Sequence, residues 1–196
     1  MNRLSTAEIQ RSALLVMDYQ PGILGFLPDP ATLFAKIMPV QQLMRSRGAK
    51  VGFVRVAFDA ADLERFPGHS AMGARVKAAG AHMHLDSPST AVHPDLDVAP
   101  GDIIVRKTRV GAFSTTDLHA QLQRAGIETL VLAGVHTSGV VLSTVREAHD
   151  LDYRVIVLSD ACADPDAKVN EFLLREIFPR QTTVATTAEF CEAISS

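Results

Sequence analysis

An apolar run that ends at a glycine and changes at once to a helical pattern constrains the fold of this chain more than any other segment. The run LVLA, followed by Gly134, is typical of a strand that is buried on both faces. Beyond Gly134, apolar residues recur at roughly helical spacing: Val140, Val141, Val145 and Ala148. Thr137 or Ser138 is the predicted N-cap. Free N–H groups at such a turn can hold negative charge on a ligand, although an ordinary strand–helix joint has the same pattern.

Further strand and helix patterns alternate along the chain. The predicted strands are Ala13–Met17, Val51–Ala57, Asp102–Val105, the run before Gly134, Tyr153–Leu158 and Thr182–Ala185. Helices are predicted from Asp29-Pro30 to Gly48, over 116–125, from the central turn through His149, over 167–178 and at the C-terminus. This alternation favours an α/β fold, with a mostly parallel sheet covered by helices on both faces. The length suits one domain over residues 1–196.

Composition excludes several classes of function. A net charge of −3 gives no electrostatic footprint for nucleic acid or for an anionic membrane. No apolar run approaches the ~20 residues that span a bilayer. The N-terminus lacks the apolar core of a signal peptide, and Ser5 with Glu8 indicates a capping box instead. Two cysteines without CxxC spacing indicate a reducing compartment, so we expect a cytoplasmic protein.

The segment from Phe58 to Gly101 has no sustained periodicity, apart from a helix-like piece near 71–79. Such a long irregular segment is more often a functional loop region than a simple connection. His82, His84 and His93 lie close together within it, but no carboxylate or thiol stands at a supporting spacing, so we predict no metal site. Neither GxGxxG nor GxxxxGK[ST] occurs, and no cofactor is expected.

Two charged residues stand just after predicted strands. In parallel α/β sheets ligands bind beyond the carboxyl ends of the strands, so Asp18, Lys107 and the turn 134–140 can converge. An Asp beside a Lys supports proton transfer, with the Lys orienting the acid and stabilising charge. A salt bridge that only satisfies two strand ends explains the same pattern. Arg106 and Arg109 could bind a substrate carboxylate, or could be solvated loop charges.

Several aromatic or apolar residues stand near these strand ends: Tyr19, Phe26, Leu27 and Phe113. They could wall an apolar pocket. Core or interface packing explains them equally well.

Three ordered segments resemble those of a known family. LLVMDYQ, then IIVRK, then LVLAGVHTSGVVLSTVREAHDLDYRVIVLSDACAD are similar to the signature segments of the isochorismatase-like (cysteine hydrolase) family. The likeness covers nearly the whole chain. It implies a three-layer α/β/α fold around a mainly parallel six-stranded sheet, and a homodimer or homotetramer that acts on a small molecule.

The resemblance also implies a set of site residues. Asp18 and Lys107 match the first two members of the family's Asp–Lys–Cys triad, and a non-proline cis peptide usually precedes the residue that matches His136. Backbone N–H groups after that peptide form an oxyanion hole. The candidate substrate and oxyanion residues are Gln20, Phe113, His136, Thr137, Gly139 and Val140.

The third triad member is missing. Val140 stands at the cysteine position, and valine has no lone pair with which to attack a carbonyl. Cys162 follows a different strand and Cys191 lies in the terminal helix, so neither fits. Helical geometry points Ser138 and Ser143 away from the direction that Val140 faces.

The family offers a precedent for the missing thiol, because isochorismatases hydrolyse a vinyl ether by acid catalysis and attack of water. Asp18 with Lys107 would suffice for that reaction, provided the pKa of Asp18 is raised; an apolar wall such as Val140 favours this and Lys107 opposes it. We therefore predict a small-molecule hydrolase that uses Asp/Lys acid–base catalysis. The alternative is a catalytically silent binding or assembly protein that retains the fold.

Overall fold

The sheet follows a doubly wound order. A computed structural model describes residues 2–195, and within them six parallel strands are arranged in the order β3-β2-β1-β4-β5-β6. Their bounds are β1 Ser12–Met17, β2 Lys50–Val56, β3 Ile103–Lys107, β4 Thr129–Val135, β5 Arg154–Ala163 and β6 Thr183–Ala185. The chain builds outward from β1 to β3 and then returns to place β4 on the other side of β1. The topological switch point therefore lies between β1 and β4, where ligands bind in such sheets.

Helices connect the strands and cover both faces. Their bounds are α1 Thr6–Gln10, α2 Pro21–Leu24, α3 Ala31–Ser46, α4 Ala60–Glu64, α5 Ala71–Ala79, α6 Leu118–Arg124, α7 Leu142–Asp150, α8 Ala167–Phe172 and α9 Thr187–Ile194. Single π-type turns precede α7 and follow α8. None of the helices in residues 2–195 is long and apolar enough to cross a membrane.

Alternate residues of β1 point into two separate cores. Leu14 and Val16 pack with residues of α3 and α9 on one face of the sheet. Leu15 and Met17 pack with residues of α6 and α7 on the other face. All six residues of β1 are buried, which is why this strand appears in the sequence as an apolar run without alternation. The predicted three-layer α/β/α architecture is confirmed.

Local predictions agree with the structure in several places. Ser5 and Glu8 form the predicted capping box at α1. The helix-like piece in the irregular segment is α5, Ala71–Ala79. The same segment also contains α4 and two short 3-10 turns that its composition conceals. Pro39 lies inside α3, which continues as one α-helix on both sides of it.

The fifth strand is longer than predicted. β5 extends to Ala163 because its pairing with β4 resumes, after a register shift between Leu132 and Gly134, at Gly134–Cys162. Asp160 therefore lies within the strand rather than beyond its end, which corrects the prediction. Its carboxylate accepts hydrogen bonds from the backbone N–H and the hydroxyl of Thr187.

Gly134 allows the turn after β4 to pack closely on the sheet. A Cβ atom built at this position lies 2.8 Å from Val141 Cγ2 and 3.3 Å from the carbonyl oxygen of Met17. We expect Gly134→Ala to lower the free energy of unfolding by about 1–3 kcal/mol through overpacking. Urea unfolding measures this change. Gly68→Ala is the control, because a Cβ at Gly68 meets no atom within 4 Å; equal stability of the two variants would contradict the packing argument.

Candidate active site

The carboxyl ends of β1 and β3 bring an acid and an amine together. Asp18 directly follows β1, and its backbone N–H donates to the carbonyl of Val54 on the intervening strand β2. Lys107 is the last residue of β3 and reaches past β2, so that its Nζ lies 2.9 Å from Asp18 Oδ2. Both side chains are buried. The predicted proximity of Asp18 and Lys107 is confirmed.

The Lys107 ammonium has an acceptor for each of its three hydrogens. Besides Asp18 Oδ2, Nζ donates to the carbonyl oxygens of Arg109 at 3.2 Å and Val110 at 2.9 Å. An ammonium group has three donors and no acceptor. Lys107 is therefore committed to the protein and holds one oxygen of Asp18.

The other oxygen of Asp18 is free. Asp18 Oδ1 is buried and has no hydrogen-bond partner among the described residues. Burial raises the pKa of the Asp18 carboxyl to about 6, while the charge and hydrogen bond of Lys107 act in the opposite direction. The backbone of Asp18 has a φ of 57°, in the left-handed region that non-glycine residues seldom adopt and that is found at functional sites. Desolvation therefore raises the pKa of the Asp18 carboxyl by more than Lys107 lowers it, which answers the question that the sequence left open.

The turn after β4 carries the third part of the site. The peptide between Val135 and His136 is cis, as the resemblance implies. A π-type turn, Thr137–Val141, follows, and Val140 within it is buried in the core that faces α7. The carbonyl of His136 accepts the N–H of Gly139 at 3.1 Å.

Two backbone N–H groups of this turn are already occupied. Gly139 N–H is bound by the His136 carbonyl, and Ser138 N–H donates to Asp164 Oδ2 at 2.8 Å. Anion binding by the turn therefore depends on other N–H groups in 136–140. Burial lowers the pKa of the His136 imidazole, against the opposing charge of Asp164. The Nε2 atom of His136 is buried without a hydrogen-bond partner in the described chain.

The predicted N-cap at Thr137 or Ser138 is wrong. The cap position is His136, and its side chain makes no capping hydrogen bond. Thr137 is buried, and its hydroxyl instead donates to Asn170 Oδ1 at 2.6 Å. Asp164 binds the Ser138 N–H, so a distant carboxylate satisfies the turn in place of a local hydroxyl.

Gln20 and Phe113 have protein partners. The amide nitrogen of Gln20 donates to the carbonyls of Val56 and Thr90, and its oxygen accepts the Val56 N–H. Gln20 thus ties the segment after Asp18 to β2 and has no amide hydrogen left for a substrate. The ring of Phe113 stacks on Tyr153 with centroids 6.1 Å apart, within the core beneath α7.

The two candidate arginines differ in their surroundings. Arg106 forms a hydrogen-bonded ion pair with the buried Asp62 and also donates to the carbonyl of Ala57. Its guanidinium is therefore committed within the chain, in contrast to the anion site considered from sequence. The guanidinium of Arg109 lies 4.1 Å from the ring centroid of Phe66, and it donates to the carbonyl of Thr108.

The remaining aromatic and apolar candidates divide between core and surface. Tyr19 is buried and donates to the carbonyl of Ala161, and its ring contacts Phe34 edge to face. Phe26 is 71% exposed, whereas Leu27 is half-buried.

A separate cavity of about 310 Å³ lies beside the end of β2. Its lining is mainly apolar and comes from the residues after β2, from α4 and α5, and from the turn after α5: Phe58, Leu63, Val76, Gly80, Ala81, Met83 and His84. His82 and His84 are exposed, and His93 is half-buried against the ring of Phe34. Within residues 2–195, no three His, Cys, Asp or Glu side chains come together in a way that could hold a metal ion.

The two cysteines are poor nucleophiles. Both are free thiols. Burial raises the pKa of Cys162 to about 12, so this thiol is neutral at physiological pH. Burial also raises the pKa of Cys191, which lies in α9.

The sequence did not indicate all the groups that build the site. The carbonyls of Arg109 and Val110 bind Lys107 through the backbone, which leaves no signal in residue type. Asp164 carried a usable signal, because it follows a predicted strand at the edge where the turn 136–140 also lies. The missing step was to pair it with an N–H of that turn.

Fold and site together define a class: a doubly wound α/β protein with a buried acid–lysine pair at its switch point. The family profile described as Isochorismatase domain matches residues 12–189. The chain belongs to the isochorismatase family.

Two similar proteins match this chain over nearly its whole length, and a third matches about half of it. The uncharacterized isochorismatase family protein YwoC of Bacillus subtilis is 34% identical over 199 residues, covering 99% of each chain. The structure of an isochorismatase family protein from Burkholderia thailandensis has a TM-score of 0.84 and 33% identity, and covers 100% of each chain. The ureidoacrylate amidohydrolase RutB of Agrobacterium fabrum is 35% identical over 107 residues, 54% of this chain and 46% of that protein.

Proposed function

We propose that the protein hydrolyses a small molecule by acid catalysis at Asp18, without a covalent cysteine intermediate. The observation that carries this proposal is the asymmetry of the Asp18 carboxyl: Oδ2 is held by Lys107, and Oδ1 is buried and free. With a pKa of about 6, roughly one tenth of the carboxyl is protonated at pH 7. A general acid works best when its pKa lies near the working pH.

A vinyl ether is the substrate class that this arrangement fits. Asp18 Oδ1–H gives its proton to the terminal carbon of the double bond, and the ether oxygen donates electrons to form an oxocarbenium ion. Water adds to that cation and loses a proton to the Asp18 carboxylate, and the hemiketal then releases an alcohol and a carbonyl product. Lys107 stabilises the carboxylate that forms in the first step. The acid is regenerated, and no nucleophilic side chain is needed.

Val140 occupies the position of the family's nucleophile in this proposal. It is buried in the turn that follows β4. An apolar side chain there keeps water from the site and thus supports the raised pKa of Asp18. The names of two matched proteins indicate amide substrates: the RutB relatives, and the N-carbamoylsarcosine amidase of Thermoplasma acidophilum, which shares the fold at 23% identity and a TM-score of 0.72. Because valine cannot attack an amide carbonyl, Val140 favours a vinyl-ether substrate over an amide for this chain.

The proposal predicts that neither thiol takes part. We expect the double variant Cys162→Ala/Cys191→Ala to retain turnover within about threefold of the wild type, because both thiols have raised pKa values and lie outside the turn 136–140. Steady-state kinetics on the vinyl ether measures this. Loss of all turnover in a variant that remains folded would contradict the proposal and indicate a thiol mechanism.

A panel of small vinyl ethers and amides tests the substrate class. We expect release of alcohol and carbonyl product from vinyl ethers, and no ammonia from amides. Thermal-shift measurements on the same compounds distinguish the alternative function. Ligands that stabilise the protein without being turned over would favour a silent binding protein.

We further propose one cytoplasmic domain that forms a homo-oligomer and uses no metal or cofactor. Large exposed apolar side chains support self-association, among them Phe26, Ile104 and Phe172. The two free thiols agree with a reducing compartment.

A further inference from the structure

The loop that binds the Lys107 ammonium is itself fixed to helix α7. Residues 109–113 follow β3, and the N–H of Ala112 donates to the hydroxyl oxygen of Thr144 at 3.2 Å. The N–H of Phe113 donates to Glu147 Oε2 at 3.3 Å. Thr144 and Glu147 are three residues apart on α7, so they lie on the same face of the helix.

Gly111 lets this loop approach the helix closely. A Cβ built at Gly111 lies 2.1 Å from Glu147 Oε2. The loop backbone therefore packs directly on the Glu147 carboxylate. Thr144 is fully buried, so its contact is shielded from water, and Glu147 is half-buried, so its contact is partly shielded.

These contacts are continuous with the site. Arg109 and Val110 direct their carbonyls to Lys107 Nζ, and Ala112 and Phe113, which follow within three residues, are hydrogen-bonded to α7. Two carbonyl acceptors reduce the cost of burying an ammonium group. The conformation of the loop thus determines whether Lys107 keeps two of its three acceptors.

We propose that Thr144 and Glu147 are positioning residues, which hold the loop 109–113 in the conformation that seals and orients the Asp18–Lys107 pair. In the described chain neither residue forms a hydrogen bond or ion pair with Asp18 or Lys107, so both act through the loop. The consequence for catalysis depends on the proposed function, whereas the geometric role does not.

Loosening the loop changes the environment of Asp18 in two ways, through access of water and through the position of Lys107. Lys107 on β3 is the charged group whose interaction shifts the Asp18 carboxyl, and Glu147 and Arg109 are the charged residues of the loop contact itself. A loop that opens admits water to the pair, and desolvation is the largest cause of the raised pKa of Asp18. Water at the pair lowers the pKa of Asp18 toward its ordinary value, whereas an ammonium group that moves away from Asp18 raises it, so a loosened loop shifts this pKa away from that of the wild type.

The test is a titration of the Asp18 carboxyl by ¹³C NMR in the full-length protein, with Thr144→Val, Thr144→Ser, Glu147→Leu and Glu147→Gln. We expect the midpoint to move by about 0.5 pH unit or more from that of the wild type in Thr144→Val and Glu147→Leu, which lack the acceptors. Serine and glutamine each retain an acceptor oxygen, so those variants should keep the wild-type midpoint.

Ser12→Ala is the matched control, because Ser12 is also buried and donates to the carbonyl of Ile9, at the opposite end of β1. Ser12→Ala should lower the melting temperature without moving the titration midpoint of the Asp18 carboxyl. The proposal is overturned if Thr144→Val and Glu147→Leu lower the melting temperature as Ser12→Ala does and leave the midpoint unchanged. Because this readout needs no substrate, an absence of turnover would refute the proposed function and leave this result intact.

Discussion

Asp18→Asn is expected to lower kcat for vinyl-ether hydrolysis by about 10²–10⁴-fold. Asparagine keeps the size of the side chain and can still contact Lys107, but it has no acidic proton. The reaction would retain whatever catalysis substrate binding provides. Initial rates at pH 6, near the pKa of the wild-type carboxyl, measure the loss.

Asp160→Asn is the matched control for this variant. Asp160 is a half-buried carboxylate in β5 that accepts hydrogen bonds from Thr187, and it lies outside the acid–lysine pair. Its turnover should remain near that of the wild type. Equal rates in wild type and Asp18→Asn would remove Asp18 from the mechanism.

Lys107→Met is expected to lower the free energy of unfolding by about 3–5 kcal/mol at pH 8, since it leaves a buried carboxylate without its partner. The loss depends on pH. The folded-state pKa of Asp18 already exceeds the ordinary value of 3.8, and removal of Lys107 raises it further because both lowering influences disappear. A group with a raised folded-state pKa favours the native state at low pH and loses that contribution as the pH rises through the folded-state pKa. The free energy of unfolding of Lys107→Met should therefore be closest to that of the wild type near pH 5 and furthest below it at pH 8.

Urea unfolding at pH 5 and pH 8 measures this effect, with Asp18→Asn/Lys107→Met as the control. The double variant buries no charge at this pair, so at pH 8 it should be more stable than Lys107→Met alone. An equal loss for Lys107→Met at both pH values would show that Asp18 is not buried as described. A double variant that is less stable than either single variant would contradict the energetic coupling between Asp18 and Lys107.

Much of the fold could be predicted because local pattern and tertiary environment agree. The apolar run of β1 ends at Asp18 in both the sequence and the structure, since a strand buried on both faces needs no polar residues until it leaves the sheet. The end of β5 could not be predicted, because Ser159 and Asp160 interrupt the apolar pattern. Their polar groups are satisfied by Ala185 and Thr187, residues that are distant in sequence.

The site also has features that could be predicted from the sequence and features that could not. The proximity of Asp18 and Lys107 follows from topology alone, because parallel strands end at one edge of the sheet. The predicted N-cap was wrong and the pairing of Arg106 could not be predicted for the opposite reason, since Asn170 and Asp62, the partners of Thr137 and Arg106, come from elements that no local pattern connects to them. The free Oδ1 atom of Asp18 also depends on packing from several segments.

The pH dependence of kcat/KM for vinyl-ether hydrolysis tests the central claim most directly, because it reports the ionisation of the free enzyme's essential acid. Protonated Asp18 is predicted to be the active form, so kcat/KM should be constant at low pH and fall about tenfold per pH unit above a midpoint near 6. A profile that stays level or rises between pH 6 and pH 8 would show that the acid at position 18 does not drive the reaction.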